Sequence, residues 1–300
     1  MVRIVTLLLL VSLVSLNAHA GEWQTKKVTG PLPKVTTIQA DSGLPDGGVA
    51  IANKGSDIHS AWYAAPTTRY GHGILGDAIE GGSLIVKNTQ GKLLTFTLPN
   101  NQVFEDITPR LRDLGVTGKT NVVTILSDVK LGASLAVFGI TDGKLLLITQ
   151  TPYIGRSNRW RNIAGIGDFD GDGLMQIAEV VTPHIGGTLR FWTWKKGKLV
   201  ASGEMDGFSN HFIGSRELDL STMEDFDGDG VSDIALPSAD RMSLRLIKFK
   251  GKARGKKTLV EIASIPFPAR IDKQISSEFN GESVDITIGL EDGSIWTVHE

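Results

Sequence analysis

Two short segments of the chain combine closely spaced aspartates with glycines in a pattern that suits metal binding. The segment MEDFDGDGVSDIAL, residues 223–236, holds four aspartates within nine positions and no lysine or arginine. Carboxylates this close repel one another, so the loop needs a positive charge. The order D-x-D-x-D-G brings oxygens to alternate positions, and the glycine lets the backbone fold them around a hard cation. We predict Ca²⁺, with the ligands Asp225, Asp227, Asp229, the carbonyl oxygen of Val231, and Asp233.

Other ions and other readings of this loop fit less well. The twelfth position carries no glutamate, so the loop is not an EF-hand. Magnesium is disfavoured because the loop offers more oxygens than an octahedral Mg²⁺ uses. The alternative is a solvated acidic turn that holds no ion.

The segment GIGDFDGDGLMQIAEVV, residues 165–181, repeats this loop with a glutamine in place of the fourth carboxylate. The lost charge predicts a weaker site. Glu179 lies three residues further into a strand, and this odd spacing turns it to the opposite face, so it is not an expected ligand. Asp113, in a degenerate copy of the loop, stands alone and predicts no metal. The candidate ligands of the second loop are Asp168, Asp170, Asp172 and Gln176.

The two aspartate loops belong to a repeat that extends along the chain. Weaker copies of the loop and its following strand are NKGSDIHSAWYA, VTGKTNVVTIL and FNGESVDITIGL. The spacing between copies is roughly fifty to sixty residues, which is typical of propeller blades. The predicted strand starts after these loops are Ile58, Val122, Ile177, Ile234 and Ile286.

Each repeat also contains a second hairpin, for instance SLAVFG and LLLITQT around the turn DGKL. Adding the strand before the loop gives four short antiparallel strands, the content of one propeller blade. The prediction is an all-β fold, a single β-propeller of five four-stranded blades, that occupies residues 21–300. The predicted blades cover about 40–99, 100–153, 154–206, 207–262 and 263–300.

The last repeat is one strand short, because the chain ends at SIWTVHE. We expect an N-terminal stretch, EWQTKKVTG or KVTTIQA, to supply the missing outer strand and close the ring, which leaves no open sheet edge. The alternative architecture is a pair of β-sandwiches.

The segment GDFDGDG, followed two residues later by a strand start, resembles the FG-GAP/VCBS repeat, the blade unit of integrin-α-type calcium-binding propellers. Two repeats match well and three weakly. The Gly-Ala-Pro element is absent, and the weak repeats have lost most of their acidic positions. The resemblance implies a propeller whose aspartate loops join the two innermost strands of each blade. Functions in this family range from adhesion to polysaccharide degradation, so the resemblance does not fix an activity.

The first twenty residues have the pattern of a signal peptide. Arg3 precedes the apolar run from Ile4 to Leu16, and Ala18-His19-Ala20 forms a cleavage signature. We expect a periplasmic or secreted protein that begins at Gly21 and has no membrane span. The alternative is an uncleaved anchor.

Composition excludes several classes of function. The net charge is −2 with scattered basic residues, so a nucleic-acid binder is not expected. The absence of cysteine excludes thiol catalysis, cysteine-ligated zinc and lipid attachment to a cysteine. We expect a monomer.

Candidate ligand-binding residues gather in loops at the end of the predicted channel opposite the aspartate loops. They lie in the insertion PTTRYGHGILGDAIEGG and in the inter-blade loops GRSNRWRNI and GFSNHFIGS, near His184 of TPHIGG. The alternative is structural: Ser-Asn builds the turn, the aromatic residue packs between blades, and the Arg or His caps a strand. The candidates are Arg69, Tyr70, His72, Asn158, Arg159, Trp160, Asn210 and His211.

No sequence motif of an enzyme is present: G-x-S-x-G, H-E-x-x-H and a phosphate loop are all missing. We therefore expect a non-catalytic module that binds a polar ligand, a glycan or an envelope protein. The alternative is a hydrolase or lyase acting on a carbohydrate or other small polar substrate through His72 or His211. A third possibility is a structural accessory of an envelope assembly. A contact between a histidine and a carboxylate in a deep polar pocket would favour the enzyme.

Overall fold

The computed structural model describes residues 23–33, 37–115, 117–253, 256–281 and 283–300, and this part of the chain is all-β. Its strands form antiparallel sheets. The first strand is β1 (Gln24–Val28). The predicted signal peptide, residues 1–20, lies outside the described residues. Among those residues there is no helix of sufficient length and hydrophobicity to cross a membrane.

The first two repeats form one ten-stranded sheet. Strands β3 to β6 belong to the first repeat and β8 to β11 to the second, in each case paired in chain order. The short β7 pairs with both β5 and β9 and joins the two sets, a connection that the repeat pattern did not predict. The strands are β2 (Ile38–Gln39), β3 (Gly48–Ile51), β4 (Ile58–Thr67), β5 (Glu80–Asn88), β6 (Leu93–Thr97), β7 (Gln102–Phe104), β8 (Arg110–Arg112), β9 (Asn121–Asp128), β10 (Gly132–Thr141) and β11 (Lys144–Gln150).

The third and fourth repeats each form a separate sheet of four consecutive strands. In both sheets the aspartate loop joins the first strand to the second. The third-repeat sheet contains β12 (Arg161–Gly167), β13 (Gln176–Val181), β14 (Thr188–Lys195) and β15 (Lys198–Asp206). The fourth-repeat sheet contains β16 (Thr222–Glu224), β17 (Asp233–Pro237), β18 (Ser243–Ala253) and β19 (Lys256–Pro266).

The fifth-repeat sheet combines the two ends of the described chain. Its order is β1, β22, β21, β20, so β1 supplies the outer strand next to the last strand. Of the two N-terminal candidates, it is therefore EWQTKKVTG that occupies this position. The other candidate overlaps β2, which pairs with β3. The remaining strands of the sheet are β20 (Ile271–Phe279), β21 (Val284–Leu290) and β22 (Ile295–His299).

The strands that follow the loops begin within two residues of their predicted starts. Strands β9, β13 and β17 are buried along nearly their whole length, because neighbouring repeats cover both faces of the sheet at these strands. The observed first residues of the five strands are Ile58, Asn121, Gln176, Asp233 and Val284.

Four apolar clusters lie between successive repeats and hold the sheets face to face. The cluster between repeats one and two contains Phe104 and Phe138. The cluster between repeats two and three contains Trp160 and Trp192. The next two clusters join repeats three with four and four with five. In the described residues no such cluster joins the fifth repeat to the first. The all-β fold and the antiparallel sheets are thus confirmed, whereas the closed propeller stays a prediction.

Candidate functional site

The aspartate loops bring three carboxylates together in each of two neighbouring sheets. The loops of the third and fourth repeats are called here the third and fourth loops, and in each of them one oxygen from each of three carboxylates lies within 4.8 Å of the other two. The turn is fixed from inside, since the amide of Gly230 donates to Asp225 Oδ2 at 2.7 Å and the amide of Gly173 to Asp168 Oδ2 at 2.8 Å. The groups are Asp168, Asp170, Asp172 and Asp225, Asp227, Asp229.

The ninth position of each loop is turned back towards its own backbone. Asp233 Oδ2 accepts the amide of Phe226 at 3.1 Å, and Gln176 Oε1 accepts the amide of Phe169 at 2.6 Å. Both side chains are buried and lie outside the three-carboxylate groups. Burial, with the nearby Asp227 and Asp229, raises the pKa of Asp233 to about 7. The amide of Val231, whose carbonyl is a predicted ligand, donates to Asp229 Oδ1 at 3.0 Å.

A lysine that sequence spacing did not reveal lies against the fourth loop. Lys248, on β18, forms ion pairs with Asp227 and with Asp229 Oδ2, the latter at 3.1 Å. The sheet registers place Thr193 at the equivalent position of the third repeat. The fourth loop therefore has one carboxylate and one ammonium more than the third, and the two formal net charges are equal. The prediction of a weaker third site rested on the carboxylate alone.

The degenerate loop of the second repeat is arranged differently. Asp113 Oδ2 accepts the amide of Gly118 at 2.5 Å, and its Oδ1 is buried without a hydrogen bond among the described residues. It belongs to neither of the two carboxylate groups.

At the opposite ends of the same strands lies a pocket of 270 Å³, called here the histidine pocket. Strand β12 runs from the pocket to the third aspartate loop, and β13 runs back from that loop to the pocket. Four loops contribute to it: the insertion between β4 and β5, the loop between β11 and β12, the turn between β13 and β14, and the loop between β15 and β16. Its lining is His72, Ile74, Asn158, Arg159, Trp160, Thr182, His184, Ile185 and Ile213.

A histidine–carboxylate pair forms one side of the pocket. His72 Nδ1 lies 2.6 Å from Oε1 of Glu105, whose side chain is fully buried. Ser127 donates to the other oxygen of Glu105, and Trp160 Nε1 donates to its carbonyl oxygen at 2.9 Å. Burial raises the pKa of Glu105, although its contacts with His72 and Ser127 act in the opposite direction.

His184, which lines the pocket, is hydrogen-bonded to the buried His211 behind it. His211 Nε2 lies 3.0 Å from the carbonyl oxygen of Ser215, so this nitrogen carries the proton. His211 Nδ1 then accepts from His184 Nε2 at 2.9 Å. Burial lowers the pKa of His184 to about 4 and that of His211 to about 3. The pair is consequently neutral at physiological pH.

Two lining residues have backbone angles that side chains disfavour. Asn158 and Thr182 have φ values of 53° and 51°, and a β-branched residue is rare there. Their amides are held by Tyr70 and Trp160: Asn158 N donates to the Tyr70 hydroxyl at 2.8 Å, and Thr182 N donates to the Trp160 carbonyl at 2.9 Å. Such strain persists only where the surroundings fix it, and it concentrates at binding sites.

Of the eight predicted ligand residues, four line the pocket: His72, Asn158, Arg159 and Trp160. The other four lie elsewhere. Tyr70 is buried behind Asn158, and burial raises its pKa to about 12. Asn210 and His211 are fully buried, so neither presents its side chain to the pocket. Arg69 donates through Nε to the carbonyl oxygen of Gln102 at 2.7 Å, away from the lining.

Two buried carboxyl groups near the pocket were not among the eight predicted ligand residues. Glu105 follows β7 in a segment without a motif, whereas Glu80, the first residue of β5, belongs to the insertion that the sequence analysis singled out. Glu80 is only 4% exposed, and burial, followed by the charge of Glu105, raises its pKa to about 9. Glu179, excluded as a metal ligand, is buried in an ion pair with Arg161 at 2.9 Å.

No protein-family model matches the chain, and no curated protein is significantly similar to it. The FG-GAP/VCBS resemblance therefore rests on the two aspartate loops and their repeat.

Replacing Lys248 with methionine should strengthen the response of the protein to calcium. Without divalent ions, Lys248→Met should lower stability by about 1 kcal/mol, since Asp227 and Asp229 lose their ion pairs. Added Ca²⁺ should then raise the melting temperature more than in the wild type. The measurement is thermal denaturation with chelator and with Ca²⁺, and exposed Lys250→Met on the same strand is the control. Insensitivity of all three proteins to calcium would exclude the metal.

Replacing Glu80 with glutamine should stabilise the protein at alkaline pH. Because the pKa of Glu80 is raised to about 9, the folded state holds a proton that the unfolded state loses above pH 4.5. Stability due to this group therefore falls as pH rises from about 4.5 to 9. As pH rises from 5 to 8, the free energy of unfolding of Glu80→Gln should increase relative to that of the wild type by on the order of 3 kcal/mol, as measured by urea denaturation at each pH. Exposed Glu278→Gln should show no such gain.

Proposed function

We propose that the protein is a calcium-stabilised, five-bladed β-propeller of the periplasm or extracellular space that acts as a non-catalytic binding module. Four sets of four strands in chain order support this architecture, as does a fifth set in which β1 pairs with β22 and completes the sheet. Each set packs on the next through an apolar cluster, as blades do.

The calcium part of the proposal is supported by the two groups of three carboxylates. Oxygen ligands in a glycine-containing turn are suited to a hard cation that tolerates irregular coordination, as Ca²⁺ does. In the fourth loop the ion would compete with Lys248, which already approaches two of the carboxylates. In the third loop a threonine replaces that lysine.

The observation that carries the binding function is the histidine pocket itself. It combines hydrogen-bonding side chains, an aromatic wall and an apolar rim, and two residues in its wall have strained backbone angles. A concave site with few polar groups on a rigid scaffold is the usual form of a small-molecule site. We propose that a small polar ligand, free or as part of a glycan or envelope protein, binds here.

The contact between His72 and Glu105 supports a second candidate, a hydrolase or lyase. When Glu105 is ionised, it accepts a hydrogen bond from the Nδ1–H group of His72. The Nε2 atom of His72 is then unprotonated and can act as a general base. A set of polysaccharides should then be cleaved by the wild type and not by His72→Gln, as followed by reducing-end and unsaturated-product assays. Ligand binding without turnover of any substrate would favour the binding module.

Filling the pocket mouth should abolish ligand binding without unfolding the protein. Ile213 is 68% exposed on the rim, so Ile213→Trp adds bulk there at little cost in stability. A thermal-shift panel of sugars, amino acids and organic acids should give ligands that bind the wild type and fail to bind this variant. The matched control is Ile51→Trp, since Ile51 is 52% exposed and outside the pocket lining. Ligands that bind both variants equally would place the site elsewhere.

A further inference from the structure

The proposed binding function leaves the chemistry of the ligand open, and the groups around the histidine pocket define it more closely. We propose that the pocket binds a small organic carboxylate, with the carboxylate on Arg159 and an apolar body against Ile185 and Ile213. This inference rests on the proposed function, because it concerns the same pocket.

Arg159 is placed to receive an anion. Its Nη1 donates to the carbonyl oxygen of Asn158 at 2.9 Å, which anchors the guanidinium to a loop of fixed conformation. Among the described residues it forms no ion pair, and Nε and Nη2 form no hydrogen bond. A planar guanidinium with two free donor positions matches the geometry of a carboxylate.

The other charges around the pocket also favour an anion. No carboxylate lines it, because Glu105 lies behind His72 and is fully buried. Arg241 packs against Phe212, next to His211, with its guanidinium 4.9 Å from the ring centroid. Burial first, then the nearby His72 and Arg241, lowers the pKa of His184 to about 4. A cationic ligand would meet repulsion at this site.

The rim of the pocket is apolar and exposed. Ile213 and Ile185 are 68% and 61% exposed, which places them among the three most exposed large hydrophobic residues of the described chain. Both lie on loops at the same opening, and Ile74 extends the apolar surface inwards. Apolar side chains at a pocket mouth gain stability when a ligand covers them. The ligand therefore needs an apolar part as well as a charge.

The size of the pocket limits the ligand. Its 270 Å³ corresponds to about nine water molecules at about 30 Å³ each. A branched or aromatic carboxylate of roughly that many non-hydrogen atoms fits this space.

Three probes that differ in one property each test the inference: 4-methylpentanoate, its neutral amide, and acetate. Titrations followed by NMR on the mature chain should show binding of 4-methylpentanoate. The amide lacks the charge and acetate lacks the apolar body, so each should bind at least tenfold more weakly. Arg159→Gln should weaken 4-methylpentanoate at least tenfold and leave the amide unchanged. Arg156→Gln, in the same loop and outside the lining, should match the wild type.

A second variant covers the case in which Arg159→Gln does not fold. Arg159→Lys keeps the charge and loses the planar fork, so it should bind the carboxylate with intermediate affinity. Equal affinities for the carboxylate and the amide would overturn the inference and leave the binding function intact. Binding of none of the probes would also overturn it. The binding function itself fails only if no ligand in the wider panel is blocked by Ile213→Trp.

Discussion

The packing of each sheet against the next is the interaction on which the rest of the structure depends. Four short strands form a sheet with two faces, and neither face can be buried by the sheet alone. Phe96 of the first repeat and Phe138 of the second, with ring centroids 4.9 Å apart, show how one repeat covers another. Where neighbouring repeats cover both faces, only the strand ends are available to carry polar loops. The two candidate sites accordingly occupy opposite ends of the same strands.

The histidine pocket shows what this packing does to polar groups near the strand ends. Glu105, His184 and His211 lie where charge is poorly solvated. Burial raises the pKa of Glu105 and lowers the pKa values of the two histidines, so in each case it favours the neutral form. Each of these groups keeps hydrogen-bonding partners within the protein. The pocket thus has fixed donors and acceptors and little charge of its own apart from Arg159.

The strands were predictable because the repeat couples a glycine-rich turn to an apolar run at a constant spacing. That pattern is local, so it located the strand starts near Ile58 and Ile177. It missed β7, which forms only because β5 and β9 are near each other in space. Lys248 was missed for the same reason, since it lies some twenty residues from the carboxylates that it meets. Glu105 has no motif around it, and only its burial makes it notable.

The pairing of β1 with β22 also affects how the protein folds. Thr297 Oγ1 donates to the carbonyl oxygen of Lys26 across a separation of 271 residues. Bringing such distant segments together carries a large loss of chain entropy, and contacts of this kind form late and slowly. The third- and fourth-repeat sheets involve only neighbouring strands and can form first. In the fifth-repeat sheet β20, β21 and β22 are also neighbours in the chain, and only the addition of β1 requires the distant segment. Until β1 pairs, the exposed edge of β22 is a site for pairing with another molecule.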